Sequence, residues 1–302
     1  MKKTKTQEIV YGAMMLAIYA VVMLLDRYSG GMLYLFFYYF LPLPFIIYGL
    51  KFDTKMFGAL LFGTLVLGLI FGLPETAFFG FTAVIVAYVI VSSIQKNWTG
   101  TSTMLLIMLV TVGSQILSVT LFAALFGYNL ASEVQAVIDT VSEISTMMPA
   151  NTNILSAQQI KVIFAFSTIL MGCLEAFLFT TLSDLVLIRL KMARVQKFSI
   201  IQLHFPKIVG ILFVIFFYLQ IQMPSDLVLF LYLTFFMMML AQGVSYCFFL
   251  NALVWRKPII NTLAFLGCFL PMVNYFILGM GLIDIFSDNR KKFMYNINQR
   301  GE

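Results

Sequence analysis

The chain alternates long apolar runs with short loops that hold nearly all of its charge. A run of about 20 apolar residues crosses a bilayer as a helix, and in lipid only helices and closed barrels satisfy their own backbone. The runs fall at 9–25, 32–50, 56–73, 77–94, 102–126, 160–188, 208–221, 227–254 and 259–286. They predict an all-α polytopic membrane bundle. Only 11% of the 302 residues are charged, against about 25% in a soluble domain.

The positions of lysine and arginine give an orientation. Lys2, Lys3 and Lys5 precede the first run, and Lys51, Lys55 and Lys96 follow the second and fourth. Arg189, Lys191, Arg194, Lys197 and Lys207 form a basic linker after the sixth, and Arg256 and Lys257 follow the eighth. Alternate loops on the other side hold only Arg27 and Lys161. The positive-inside rule then expects a multi-pass protein of a bacterial plasma membrane with a cytoplasmic N-terminus. The net charge of +6 serves this topology, and no basic patch is backed by a soluble fold that would bind nucleic acid. Arg290, Lys291 and Lys292 are the misfit, because a ninth plain crossing would leave them outside. Pro271 offers a break, so eight spans plus a re-entrant segment and nine spans both stand at this stage. The organisation reads as a six-span block, 1–190, followed by the basic linker and two to three C-terminal helices, 191–302.

Between the fifth and sixth runs, Leu130, Val134, Val137, Ile138, Val141 and Ile144 recur at helical spacing. They predict an outer amphipathic helix over 128–148, either a lid on the bundle or a helix resting on the membrane. Ser132 and Gln135 have the spacing of a capping box at its start, and Ser156 and Gln159 repeat that spacing before the sixth run.

Glu175 is the residue that most invites a function, since it lies mid-span in the sixth run. A carboxylate at the bilayer centre costs roughly 2.5–3.5 kcal/mol on insertion scales, so it faces protein or a cavity. No lysine or arginine lies mid-span to pair with it. Its partners are then neutral, drawn from Gln115, Tyr88, Tyr275, Asn274 and Gln242, or it carries a proton and bridges helices. Glu175, Gln115 and Tyr88 are the candidate substrate-binding residues. Asp184, near the end of the same run, reads as structural, with Arg189 and the basic linker at hand. Asp284 and Asp288 stand one helical turn apart, but Arg290 and the two lysines beside them supply ion-pair partners. No metal or cofactor is therefore expected. Cys173, Cys247 and Cys268 match no zinc or redox spacing, and no P-loop, nucleophile elbow or HExxH motif is present. The reading is of a protein that is not an enzyme.

In the first run, Ala13, Ala17 and Ala20 share one helix face with Gly12 at its edge, a small-residue pattern that lets another backbone approach in a bilayer. Glycine-rich second and third spans follow, FIIYGLKFDTKMFGALLFGTLVLGLIFG. This block resembles the substrate-binding S components of energy-coupling-factor vitamin transporters. That resemblance implies a small solute as ligand and makes Ala13 and Ala17 a docking face for a transmembrane T subunit. The C-terminal spans and the ending GLIDIFSDNRKK resemble the YybS-like family of bacterial membrane proteins, a resemblance that covers the full chain and implies an S-component-like block over about residues 1–190. An S component ends after six spans, whereas this chain continues from residue 208 to 302. The docked surface belongs either to a partner subunit or to these added helices.

Overall fold

The structure, a computed structural model, describes residues 5–52, 54–73, 78–126, 130–146, 157–196, 198–223, 225–268, 270–287 and 290. Among them every regular element is helical and none is a strand. The helices are α1 (Lys5–Tyr28), α2 (Tyr34–Phe37), α3 (Pro42–Phe52), α4 (Phe57–Phe71), α5 (Phe79–Gln95), α6 (Gly100–Phe126), α7 (Leu130–Thr146), α8 (Ala157–Arg189), α9 (Lys207–Gln222), α10 (Asp226–Leu250), α11 (Pro258–Gly267) and α12 (Pro271–Ser287). Lys5–Tyr28, Gly100–Ser118, Gln158–Arg189 and Asp226–Val254 are each long and apolar enough to cross a membrane alone. The chain is an all-α polytopic membrane bundle.

The chain divides into two compact units, Met1–Thr146 with Ser167–Phe198, and Met147–Phe166 with Ser199–Glu302. In the first unit α5 is the axis. Small and β-branched residues let neighbours close on nearly every side of it, and Ala83, Val86, Ala87, Ile90 and Val91 are fully enclosed. A helix apolar all round belongs in such an interior. α3, α4 and α6 pack on it, and α1 lies across α3 and α4. Gly12, Met15, Tyr19, Met23 and Asp26 face inward from α1. Gly80 receives the Tyr19 ring, where a Cβ would collide with it.

Two local expectations give way. The run 32–50 is not one helix: α2 ends at Phe37, a 3-10 turn occupies Tyr38–Phe40, and α3 begins at Pro42. Proline lacks an N–H and suits a first helical turn, so Pro42 starts a new helix instead of continuing the old one. Ser132 also falls inside a helix instead of at its cap. α7 starts two residues earlier, and Gln135 Nε2 donates forward to Asp139 Oδ1 at 2.9 Å. Ser156 lies outside the described residues.

In the second unit α9 and α10 form an antiparallel pair joined at Ser225, whose hydroxyl accepts from the Val228 N–H and caps α10. α12 runs parallel to α10. Tyr275 meets Phe236 near one end, and Asp284 meets Gln242 towards the other. Their backbones touch at the crossing, where a Cβ on Gly243 would overlap the Ile277 carbonyl and one on Gly281 would lie 2.9 Å from the Gly243 nitrogen. α11 and α12 are bent by 107° at the break before Pro271. α10 runs towards the linker-side end of the unit, where Gln242 and Ser245 meet Phe205 and Leu203, and the parallel α12 ends there too. The ninth run is therefore a bent pair of helices, and its second helix, α12, ends on the side of the linker.

This pairing predicts sidedness. With Cys173, Cys247 and Cys268 replaced by alanine, Lys207→Cys and Asn296→Cys react with a membrane-impermeant maleimide from the same side. Labelling from opposite sides would contradict the parallel arrangement of α10 and α12.

Candidate functional site

The first polar site is built where α6 crosses α8. Gly172 has no side chain, so α6 comes within contact of its backbone, and Thr111 Oγ1 donates to the Gly172 carbonyl at 2.7 Å. One turn along each helix stand Gln115 and Glu175. Gln115 Nε2 donates to Glu175 Oε1 at 2.7 Å, and Tyr38 Oη donates to Glu175 Oε2 at 3.2 Å. Glu175 is 3% exposed. The 3-10 turn ahead of Pro42 is what carries Tyr38 to it. The Tyr38 ring is walled by Phe79, Phe179 and Tyr39 at centroid distances of 4.5, 5.2 and 5.3 Å.

Both carboxylate oxygens thus accept from neutral donors. Hydrogen bonds to an ionised group contribute about 1.5–3 kcal/mol each, roughly double a neutral pair. They solvate the carboxylate without cancelling its charge. The site can accept a proton, or a ligand group that donates or carries positive charge.

Of the sequence candidates, Gln115 and Glu175 come together and Tyr88 stands elsewhere. Tyr88 is half-exposed on α5, edge-on to Phe57 at 5.7 Å. It lines a cleft with Thr54, Phe57, Gly58, Leu61, Val84 and Ile85. Tyr38 is the partner that sequence reading missed. Its signal was a pair of adjacent hydroxyl-bearing rings, Tyr38 and Tyr39, just ahead of Pro42 in a run mostly of Phe and Leu. On α1, Ala13 and Ala17 are exposed and Ala20 is half-buried, while Gly12 lies on the opposite, buried face. Asp184 is buried and accepts from the Val195 N–H at 3.2 Å, which ties the start of the linker to α8.

A second polar cluster lies in the other unit. Arg290 donates to both oxygens of Asp284, with Nη2 to Oδ2 at 2.7 Å. It also donates to the Ile201 carbonyl at 2.6 Å and to Ser245 Oγ at 2.9 Å. Gln242, weighed as a partner for Glu175, is committed here. It donates to Asp284, accepts from the Phe205 N–H at 3.0 Å, and meets His204 Nδ1 at 3.2 Å. Arg290 thereby clamps α12 to α10 and to the linker. Asp288 lies outside the described residues. Among the described residues no three His, Cys, Asp or Glu side chains gather as a metal site.

A family model described as a predicted membrane protein, DUF2232, matches residues 17–285. The chain belongs to the DUF2232 family. The match runs from Ala17 on α1 to Ile285 on α12, so Tyr38, Gln115, Glu175, Gln242 and Asp284 all lie within the DUF2232 region, and Ala13 and Arg290 lie outside it. No curated protein and no solved structure matches the chain.

The second cluster carries a stability prediction. Arg290→Met leaves Asp284 buried without its cation, and breaking a buried pair from one side costs about 3–5 kcal/mol. Thermal unfolding in detergent should shift down sharply for Arg290→Met and recover in part for Arg290→Met with Asp284→Leu. An equal loss in the double variant would show that the charge pair is not the source.

Proposed function

We propose that this DUF2232 membrane protein binds a small solute within its first unit, with Glu175 as the polar centre and Gln115 and Tyr38 as its supports. The observation that carries this reading is a buried mid-span carboxylate held by two neutral donors from separate elements. A group that expensive is retained in a bilayer at substrate or proton pathways more often than as packing. The S-component and YybS-like resemblances point the same way, towards solute uptake across a bacterial plasma membrane with the N-terminus in the cytoplasm. α7 has an inward Val134 and exposed Asp139 and Glu143, and in this reading it serves as the outer lid. No catalytic step is assigned.

Thermal unfolding against a panel of candidate metabolites tests the reading. A ligand at 100 times its Kd stabilises by about 2.7 kcal/mol, and Glu175→Gln should abolish that shift while leaving the unliganded protein folded. A shift of equal size in wild type and Glu175→Gln would sink the assignment, as would a panel that moves neither.

A second reading has its own observation. Ala13 and Ala17 face outward from α1, among exposed Ile9, Val10, Ile18 and Val21. A small-residue face left open in lipid suits another helix. The protein would then be a non-transporting scaffold or regulator that acts through helix–helix contacts at α1, whereas a T-subunit-like partner on the same face would belong to the solute reading. Ala13→Leu with Ala17→Leu should remove membrane proteins that co-purify in mild detergent, and Glu175→Gln should not. Retention of the same proteins by the alanine variant would rule out α1 as the docking face.

A further inference from the structure

The cleft that holds Tyr88 is separate from the Glu175 site, and its chemistry is different. It encloses ≈ 240 Å³ between α4 and α5. Phe57, Leu61, Val84 and Ile85 make its walls apolar. Gly58 makes its opening, since a Cβ built there meets no atom within 4 Å. Polar atoms are few: the hydroxyls of Thr54 and Tyr88 belong to the only polar side chains among the lining residues.

Size decides against a protein occupant. The wall covers one turn of each helix, Phe57 to Leu61 on α4 and Val84 to Ile85 and Tyr88 on α5, about 5.4 Å along the axis. A docked helix has a diameter of about 10–12 Å and needs a seam of several turns. A flexible hydrocarbon chain fits such a notch, and a notch on an apolar helix surface in a bilayer is surrounded by such chains.

Charge decides which lipid. Thr54 lies in the loop between α3 and α4, flanked by the exposed Lys51 in the last turn of α3 and the exposed Lys55. The Lys51 ammonium lies 4.1 Å from the Tyr11 ring centroid, held at this end of the bundle. Lys96 follows α5, and Val91 meets Gly49 near this end of α3. Glu8 and Asp53 are the acids of the same leader and loop, so lysines Lys5, Lys51, Lys55 and Lys96 outnumber them. Basic residues at a membrane surface attract anionic headgroups.

We infer that the α4–α5 cleft holds an acyl chain of an anionic phospholipid whose headgroup lies at the Lys51–Lys55 loop. Tyr88 and Thr54 mark the polar end of that site. The site is independent of the solute reading and stands or falls without it.

The test uses the full chain. Wild type, Gly58→Leu, Gly113→Leu and Lys51→Gln with Lys55→Gln are purified in mild detergent, delipidated, and titrated with dioleoyl phosphatidylglycerol or dioleoyl phosphatidylcholine under native mass spectrometry. Gly58→Leu fills the opening, and leucine is the better helix former, so this variant folds. Gly113 also has open space beside it and serves as the control on α6. Phosphatidylglycerol should bind wild type and Gly113→Leu alike, and Gly58→Leu about tenfold more weakly, the loss expected for one or two excluded methylenes. The double lysine variant should bind the two lipids equally. Unchanged phosphatidylglycerol binding in Gly58→Leu, or equal binding of both lipids by wild type, would overturn the proposal. So would a co-purifying protein that Gly58→Leu alone displaces.

Discussion

Inside a bilayer no water is available to a polar group, so a buried carboxylate is costly unless other groups of the protein hydrogen-bond it. That requirement organises both units. Glu175 is answered by Gln115 and Tyr38, Asp184 by the Val195 N–H, and Asp284 by Arg290 and Gln242. Gln115, Tyr38, the Val195 N–H and Gln242 each come from a different element than the carboxylate they meet, so these polar contacts also fix which elements are neighbours. The apolar contacts alone would tolerate many arrangements, because lipid competes with side chains for apolar surface.

Close backbone approach is the companion device. Gly172 lets α6 near enough for Thr111 to bond its carbonyl, and the Glu175 site follows one turn on. Gly243 and Gly281 do the same for α10 and α12, and Asp284 and Gln242 meet just beyond. Glycine is used here to bring two backbones together and set the register of a polar pair.

The apolar runs and their charged boundaries made the long spans α1, α6, α8 and α10 readable, because the bilayer imposes a length that sequence displays directly, whereas the runs 56–73, 77–94 and 208–221 form shorter helices of 15–17 residues. Glu175 was readable for the same reason: an acid in an apolar run is a visible anomaly. Gln115 was readable as one of few amides at mid-span depth. Tyr38 was not, because its approach depends on the 3-10 turn before Pro42, which rotates the chain away from the helical register assumed across 32–50. Tyr88 was misleading because depth along a helix says nothing about which face it shares. The pairing of Asp284 with the basic run was legible from spacing alone, but the participation of Gln242, Ser245 and the linker carbonyl was not. Those contacts join residues up to 89 apart in the chain.

The two bonds on Glu175 also set a threshold for motion. Any rearrangement that uncovers the carboxylate must part it from Gln115 and Tyr38 together, because each oxygen is held from a different element. At about 1.5–3 kcal/mol for each bond, an uncovered state carries a handicap of roughly two to four powers of ten in population. A molecule that displaces both donors from this carboxylate must therefore favour the uncovered state by at least that ratio. Affinity shared equally between the covered and uncovered states would leave the site shut.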